Sequence, residues 1–344
     1  AISKYRLERV ESSTGKTTGQ WIWPGYNSEG PMSNAFRNFI AGGYVKGKPV
    51  LLTAQGLYQD MYLQAWNPDM SLRWELEIAE GSRGARGSHM HPVVDLNEDG
   101  VDEWMWGERC IEIDGGSELF CADDDTYSGH SDIIQPFRDV DTGKWMLFVT
   151  REKQSVVPPR VAVYDAGGKR IWGDVDKGHM HIGWMARFTP EKRTAMAIRV
   201  ASQVQTKKAR MIGEREVFAY DVATGQPENL PFDPFQTIPV DLNGDGLHEL
   251  VRGTRHDGNC SGEVLDGMGR TLGTVGGPVL MASKFLDRPG EQVMTYSREG
   301  TIRIWVDDSA ADTEKALARY NEPFYRLNQR FTICGNHLHV LGGI

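Results

Sequence analysis

Apolar and polar residues alternate in short runs along most of the chain, and glycine- or proline-containing turns separate these runs. Alternation with a period of two is typical of half-buried β-strands. The runs come in groups of four, and a new group starts after roughly 40–50 residues. Only Thr313–Arg319 has a helical pattern. The pattern therefore predicts an all-β protein built from a repeated four-stranded unit.

A repeat of this length, with four short strands in each unit, predicts a β-propeller. We expect six blades at approximately residues 35–80, 88–122, 130–175, 181–225, 236–276 and 279–310. The seventh combines the expected strands Gln329–Cys334 and His337–Leu341, in residues 326–344, with an N-terminal strand in residues 1–10. Joining the chain ends in this way removes exposed sheet edges. The sequence thus predicts one seven-bladed domain over residues 1–344; a pair of β-sandwiches, or six or eight blades, are the alternatives.

Two turns share the pattern DxNxDG followed by a glutamate, and each lies between two predicted strands. Their oxygen-bearing residues are Asp95, Asn97, Asp99 and Glu103 in the first turn, and Asp241, Asn243, Asp245 and Glu249 in the second. Side-chain oxygens at alternate positions before a glycine suit calcium. We expect this calcium to be structural rather than catalytic. His248 and His256, which follow the second turn, are expected at the surface.

Composition excludes several classes of function. The chain has 344 residues, of which 40% are hydrophobic and 25% charged, and a formal net charge of −9. Such a negative chain is a poor partner for nucleic acid, and no apolar run is long enough to cross a membrane as a helix. The sequence starts at Ala1 without methionine, which suits a processed protein that is secreted or periplasmic. We expect a monomer.

Two of the four cysteines flank a glycine pair at equal distances, in the segment Cys110–Cys121. In a two-residue hairpin about Gly115 and Gly116 they would lie directly opposite each other. A cross-strand disulfide is then possible. Two buried thiols on neighbouring strands are the alternative.

Five of the nine histidines lie in segments that would enter the innermost strands of three consecutive blades: His89, His91, His130, His179 and His181. Imidazole can act as general acid, general base or metal ligand near neutral pH. Taken singly, each of these histidines is at least as consistent with a structural role, as a packed and hydrogen-bonded side chain, as with a catalytic one. The pairs His89/His91 and His179/His181 could chelate zinc, but no other zinc motif accompanies them.

Positive side chains accompany these histidines on the same predicted strands: Arg37, Arg187, Arg199, Lys284 and Arg330. Because Asp132 is the only acidic residue expected beside them, we predict a basic cleft that suits a substrate bearing carboxylate or sulfate. Residues in the equivalent segments are expected to bind that substrate: Arg37, Asn38, His89, His91, Lys284, Asn328 and Arg330. Tyr127 would overhang the cleft as a reserve acid or base.

Several segments resemble the secreted propeller polysaccharide lyases, above all GHSD at Gly129–Asp132 and GHMHIGW at Gly178–Trp184. The ulvan lyases, with seven blades, are the nearest family; rhamnogalacturonan lyases are more distantly similar. The resemblance implies β-elimination at a 4-linked uronic acid, with His or Tyr as acid and base and Arg as the group that neutralises the carboxylate. An ulvan-type polymer is the expected substrate. A non-catalytic, calcium-stabilised carbohydrate-binding propeller and a rhamnogalacturonan lyase are the alternatives.

Within such a reaction we assign His130 as the principal proton-transfer residue, since Ser131 or Asp132 can orient its ring. His181, or His179 beside it, is the expected partner. Arg187 shares a strand face with His181, but six residues at ~3.3 Å each separate them by roughly 20 Å. Arg199 is therefore the second candidate for the neutralising group.

Overall fold

The computed structural model describes residues 6–22, 38–152, 157–200, 215–253, 261–297, 299–334 and 339–344. In these residues the protein is all-β, with antiparallel sheets and only short helices. No helix among them combines the length and the apolar character that a membrane crossing needs. Arg37 and His256 lie outside the described residues.

The chain divides into two compact units. Unit 1 comprises Ala1–Ser88 and Val93–His130, and unit 2 comprises His89–Pro92 and Ser131–Ile344. The prediction of a single domain stays a prediction.

Unit 1 contains a two-stranded hairpin and two four-stranded sheets whose strands follow chain order. The hairpin strands are β1 (Leu7–Val10) and β2 (Thr17–Trp21). The first sheet contains β3 (Asn38–Val45), β4 (Lys48–Gln55), β5 (Met61–Trp66) and β6 (Leu72–Ile78). The second contains β7 (Val93–Val94), β8 (Glu103–Trp106), β9 (Arg109–Glu112) and β10 (Glu118–Cys121).

Unit 2 contains four further sheets, again with strands in chain order. The first has β11 (Ser131–Arg138), β12 (Trp145–Arg151), β13 (Val161–Asp165) and β14 (Arg170–Asp174). The second has β15 (His179–Ala186), β16 (Thr194–Val200), β17 (Arg215–Asp221) and β18 (Pro227–Glu228). The third has β19 (Thr237–Val240), β20 (Glu249–Arg252), β21 (Glu263–Leu265) and β22 (Thr271–Thr274). The last has β23 (Val279–Ser283), β24 (Gln292–Tyr296) and β25 (Ile302–Trp305).

The residue ranges of these six sheets agree with those of the first six predicted blades, although the sixth sheet has three strands. The predicted strand Gln329–Cys334 is wrong; of the predicted strand His337–Leu341, residues 337 and 338 lie outside the described residues, and the rest is not a strand. Helices α1 (Glu314–Asn321) and α2 (Pro323–Asn328) are followed by the 3₁₀ helices Gln329–Cys334 and Val340–Gly343. Proline at the first position of α2 suits a helix start, and short apolar runs do not distinguish strand from helix.

Strand β1 pairs with β2 and not with a C-terminal strand. Closure by strands from the two chain ends is therefore not found among the described residues. The seventh blade of the predicted propeller is not confirmed.

The second strand of each large sheet is buried on both faces. Ala195, Met196, Ala197 and Ile198 of β16 are fully buried, as are Leu250 and Val251 of β20. Each buried aliphatic side chain of this size contributes about 1.5–3 kcal/mol of burial free energy. These second strands are thus held rigidly, which fixes the side chains at their ends.

Of the two alternatives for Cys110 and Cys121, the structure has the free thiols and not the disulfide; Cys110 is buried and Cys121 is partly buried. The β9–β10 ladder pairs Phe120 with Cys110 and Cys121 with Arg109. The two cysteines are therefore offset by one residue and point to opposite faces. The offset follows from a turn longer than two residues, closed by the Ser117 carbonyl accepting from Glu112 N–H at 2.9 Å, together with a β-bulge between Glu118 and Phe120. Burial raises the pKa of the Cys121 thiol to about 12, as expected for an unreactive thiol.

The two DxNxDG turns have the same hydrogen-bonded structure. In the first, both Asp95 carboxylate oxygens accept from backbone N–H groups, and Glu103 Oε2 accepts from Leu96 N–H at 2.7 Å. In the second turn the Asp241 carboxylate accepts from Gly244 N–H and Gly246 N–H, and Glu249 Oε2 accepts from Leu242 N–H at 2.9 Å. Burial, aided by neighbouring carboxylates, raises the pKa of Glu103 and of Glu249 to about 8. Side-chain oxygens thus shape each turn, and burial makes the ionisation of its closing glutamate unfavourable.

A buried network anchors the second turn. Asp241 N–H donates to Glu291 Oε2 at 2.7 Å, and Tyr325 Oη donates to Glu291 Oε1 at 2.5 Å. Arg319 of α1 lies 3.2 Å from Glu291 and 3.8 Å from Asp241. The helix that follows the last sheet is therefore tied to the turn by buried ionic contacts, and removal of one partner would leave an uncompensated charge.

We expect Gly262→Ala to destabilise the protein much more than Gly143→Ala. Both glycines have a left-handed φ, +67° and +68°, so both substitutions carry a backbone cost of about 1–2 kcal/mol. A Cβ at Gly262 would lie 1.5 Å from the Val275 carbonyl oxygen, whereas one at Gly143 meets nothing within 4 Å. In urea denaturation, Gly262→Ala should lower the free energy of unfolding by about 1–3 kcal/mol more than Gly143→Ala does. Equal losses of unfolding free energy in the two variants would show that β21 and β22 can move apart to accommodate the new Cβ without an energetic cost.

Candidate active site

Three strands of unit 2 bring polar residues to the same end of their sheets. Strand β11 begins at Ser131, which pairs with Arg151 at the end of β12. Strand β15 begins at His179, and it contacts both β11 and β12. Since β12 runs antiparallel to β11, Glu152, the residue after β12, lies beside the start of β11.

A one-residue β-bulge interrupts the start of β11 and the start of β15. Ser131 pairs with Arg151 and Ile133 with Thr150, so Asp132 is the extra residue in β11. Met180 pairs with Arg199 and Ile182 with Ile198, so His181 is the extra residue in β15. A bulge redirects one side chain without disturbing the ladder beyond it. Asp132 and His181 therefore need not follow the alternation of their strands.

Glu152 is the centre of this group. Its Oε1 lies 2.9 Å from His179 Nε2 and 3.9 Å from His181 Nδ1. The two imidazole rings are 5.5 Å apart between centroids. All three side chains are partly accessible, with 18% of Glu152, 22% of His179 and 27% of His181 exposed. An ionised carboxylate only accepts hydrogen bonds, so the 2.9 Å contact with Glu152 favours the tautomer with the proton on His179 Nε2, in which Nδ1 is the basic nitrogen.

His89 and Asp132 extend the group. His89 Nε2 lies 3.5 Å from Asp132 Oδ1, and the ligand atoms of His89, Asp132 and Glu152 lie within 4.8 Å of one another. The same holds for Glu152, His179 and His181. Imidazole nitrogens with carboxylate oxygens form a ligand set for a divalent cation. His89 and His91 are not brought together in this way, and His91 is buried in an irregular segment.

His130 and Tyr127 lie in unit 1 and are more enclosed than expected. His130 Nδ1 is 2.7 Å from the Gly87 carbonyl oxygen. Because that oxygen only accepts, Nδ1 carries the proton, and Nε2 is the nitrogen that can take a proton or a ligand. The Tyr127 hydroxyl donates to the His130 carbonyl at 2.6 Å and is 1% exposed. Tyr127 therefore positions His130 and does not overhang a cleft, because its polar tip is held in the interior.

The two candidate arginines lie at opposite ends of β15. Arg199 on β16 pairs with Met180, next to the histidines. Its guanidinium contacts Glu216 and donates to the Lys177 carbonyl at 2.8 Å. Arg187 follows the far end of β15 and donates to the Pro190 carbonyl. Of the two, Arg199 alone is near the group around Glu152.

The residues predicted to bind substrate are not gathered at one place in unit 2. Lys284 Nζ lies 2.8 Å from Asp312 and above the Tyr320 ring, so its charge is already paired. Asn328 is fully buried and donates to the Phe324 carbonyl within α2. Arg330 is exposed on a 3₁₀ helix. In unit 1, Asn38 begins β3 and is exposed.

Sequence reasoning missed Glu152 and therefore misjudged the charge of the site. The expected cleft was basic, with Asp132 as the only acidic residue, yet both His179 and His89 contact carboxylates. Glu152 lies in the segment TREKQS, which contains no motif. The available signal was its position directly after β12, the strand that pairs with β11, because the residue after β12 lies beside the start of β11.

Comparison with known proteins assigns the family. The profile of the rhamnogalacturonan lyase family 11 C-terminal domain matches residues 30–328. Two Bacillus subtilis proteins are similar over 86% of this chain: rhamnogalacturonan exolyase YesX, at 23% identity, and rhamnogalacturonan endolyase YesW, at 25%. The chain spans about half the length of these relatives, 50% and 46%. The crystal structure of exotype YesX matches 96% of this chain, and 57% of its own, with a TM-score of 0.75 and 18% identity. The chain belongs to the rhamnogalacturonan lyase family 11, to whose C-terminal domain it corresponds.

Proposed function

We propose that this chain is a polysaccharide lyase that cleaves the bond to O4 of a uronic acid in a rhamnogalacturonan-type polymer. Membership of the family and the accessible histidine–carboxylate group around Glu152 support the proposal. The single observation that carries it is the 2.9 Å contact between His179 Nε2 and Glu152 Oε1, because it combines an imidazole with a carboxylate at an accessible strand end. Rhamnogalacturonan replaces ulvan as the expected substrate, since the relatives that match are rhamnogalacturonan lyases.

The reaction requires three actions. A base removes the proton from C5, the electron pair forms the C4–C5 double bond, and the C4–O4 bond breaks while an acid protonates the leaving oxygen. The uronate carboxylate must be neutralised before the C5 proton becomes acidic. A divalent cation held by Glu152, His89 and Asp132 would supply positive charge for that purpose.

The side chains of this chain supply the remaining parts. His179, with its tautomer fixed by Glu152, presents Nδ1 as a proton acceptor, and His181 lies beside it. Arg199 is placed to contact an acidic substrate from the neighbouring strand. His130 remains a proposed proton-transfer residue through Nε2. Positioned acid–base groups of this kind contribute roughly 10²–10⁴-fold in rate.

The wild-type protein should produce ultraviolet-absorbing unsaturated ends from rhamnogalacturonan, and less or none from ulvan, alginate and glycosaminoglycans. Glu152→Gln should lower kcat by about 10²-fold or more, because the neutral amide can donate as well as accept and therefore does not select one His179 tautomer, and because it has lost the negative charge that attracts a cation. Glu322→Gln is the matched control, since Glu322 is a partly exposed carboxylate paired with Arg138 at 3.3 Å. Its activity should equal that of the wild type.

Retention of the polymers on an affinity gel, with no new absorbance from any of them, would instead support the carbohydrate-binding alternative. Full activity in Glu152→Gln would remove the group around Glu152 from the mechanism.

We further propose that the two DxNxDG turns bind structural calcium, as in a protein that works outside the cytoplasm, secreted or periplasmic. The ligands are oxygens, which suit calcium. Glu103 is fully buried, and its Oε1 has no hydrogen-bond partner among the described residues. A buried carboxylate of this kind is stabilised by a cation.

Chelation should lower the melting temperature by about 2–4 °C for each kcal/mol of binding free energy that is lost. In Glu103→Gln the response to calcium should shrink, because one turn has lost its closing carboxylate. Asp307→Asn is the control: Asp307 closes a turn around Ser309, so the substitution should change stability but not the calcium response. An unchanged melting temperature with chelator, at every calcium concentration, would show that the turns are held by their hydrogen bonds alone.

A further inference from the structure

A second group of polar side chains lies at the end of β15 opposite to Glu152. Arg187 follows β15, and Arg193 precedes β16, so both belong to the turn that joins these strands. His248 precedes β20, and Arg319 lies on α1. Arg193 and His248 are each 3% exposed. His248 was expected at the surface, and that expectation is wrong because the residue pairs with the β15 end.

The backbone fixes His248 against Arg187. His248 N–H donates to the Arg187 carbonyl at 2.8 Å, and Arg187 N–H donates to His248 Nδ1 at 2.9 Å. Nδ1 is therefore an acceptor, and in the neutral ring the proton must be on Nε2. Burial, with the charges of Arg319 and Arg193, lowers the pKa of His248 well below its ordinary value. His248 thus presents a buried Nε2–H donor.

Five buried donors in this group have no hydrogen-bond acceptor among the described residues. Three are His248 Nε2, Arg187 Nε and Arg193 Nε, and the other two are Nε and Nη1 of Arg319. The other contacts of the two arginines are to carbonyl oxygens: Arg193 donates to Arg138 O at 2.5 Å, and Arg187 to Pro190 O. A buried donor without an acceptor costs about 1–3 kcal/mol. A ligand that only accepts hydrogen bonds would satisfy the donors of His248, Arg187 and Arg193.

Charge in this group is also unbalanced. Arg319 is compensated by Glu291 at 3.2 Å. Within the described part of the chain, neither Arg187 nor Arg193 forms an ion pair within 4 Å, and the carboxylates of Glu191 and Asp139 act on them only weakly. Burial, reinforced by the charges of Arg187 and Arg319, lowers the pKa of Arg193 to about 9. A negative charge at this position would stabilise both guanidinium groups.

We propose that Arg187, Arg193 and His248 bind a small monovalent inorganic anion of halide size. The anion accepts from all three N–H groups and brings no hydrogen of its own, whereas a water molecule would need acceptors for its two hydrogens. A divalent oxyanion would cost more to transfer from water into so buried a place. The anion site is separated from the group around Glu152 by the length of β15, roughly 20 Å. It therefore stabilises the turn between β15 and β16 and is separate from the proposed catalysis.

The test compares melting temperatures in sodium chloride, sodium bromide and sodium gluconate at equal ionic strength. The wild type should melt about 2–4 °C higher in chloride or bromide than in gluconate, once the halide is in several-fold excess over Kd. In Arg193→Met, which keeps an apolar stem but removes the donors, this difference should disappear. Arg288→Gln is the control: Arg288 is a largely exposed arginine paired with Asp308, and its substitution should leave the difference intact.

Bromide also gives a direct measurement that needs no variant. Crystals of the wild type grown in bromide should show an anomalous peak beside His248 Nε2 and Arg193 Nε, whether or not Arg193→Met folds. Equal melting temperatures in halide and gluconate, with no such peak, would overturn the proposal. A halide effect that persists unchanged in Arg193→Met would overturn it as well.

Discussion

The close contact between the Glu152 carboxylate and the His179 imidazole is the interaction on which the rest of the candidate site depends. It connects the end of β12 to the start of β15, two strands of different sheets, at a place where both side chains are still accessible. The bulges at Asp132 and His181 direct the flanking groups of the same cluster. Without Glu152, His179 would lose the carboxylate that selects its tautomer. The two candidate ligand sets, one with His89 and Asp132 and one with His179 and His181, would also lose the carboxylate that they share.

Strand β15 separates two kinds of chemistry. Its first residues belong to an accessible group in which carboxylates accompany histidines, whereas the residue after its end belongs to a buried group of arginines with one histidine. The strand between them is almost entirely buried. Because burial holds β15 rigid, each end keeps its geometry. Polar groups at strand ends can therefore be specialised without disturbing the core that positions them.

Much of the fold follows from local alternation, and much of the site does not. The runs around β11 and β15 were found within a few residues, since inner strands alternate or are wholly apolar. The C-terminal 3₁₀ helices were predicted as strands because a short apolar run carries no reliable period. Glu152 was missed because its role depends on which strand lies beside it, and pairing between strands is not a local property. The offset of Cys110 and Cys121 likewise depends on the length of the turn and on the bulge after Glu118, and it could not be predicted from their equal spacing.

The central claim is that Glu152 organises a cation-binding, catalytic group at the start of β15. Anomalous diffraction from crystals soaked in manganese, with an unsaturated or unreactive uronate oligosaccharide present, tests this most directly. The account predicts a peak at bonding distance from a Glu152 oxygen and at least one imidazole nitrogen, with the sugar carboxylate next to it, and loss of that peak in Glu152→Gln. Peaks confined to the DxNxDG turns, with the sugar bound far from Glu152, would contradict it.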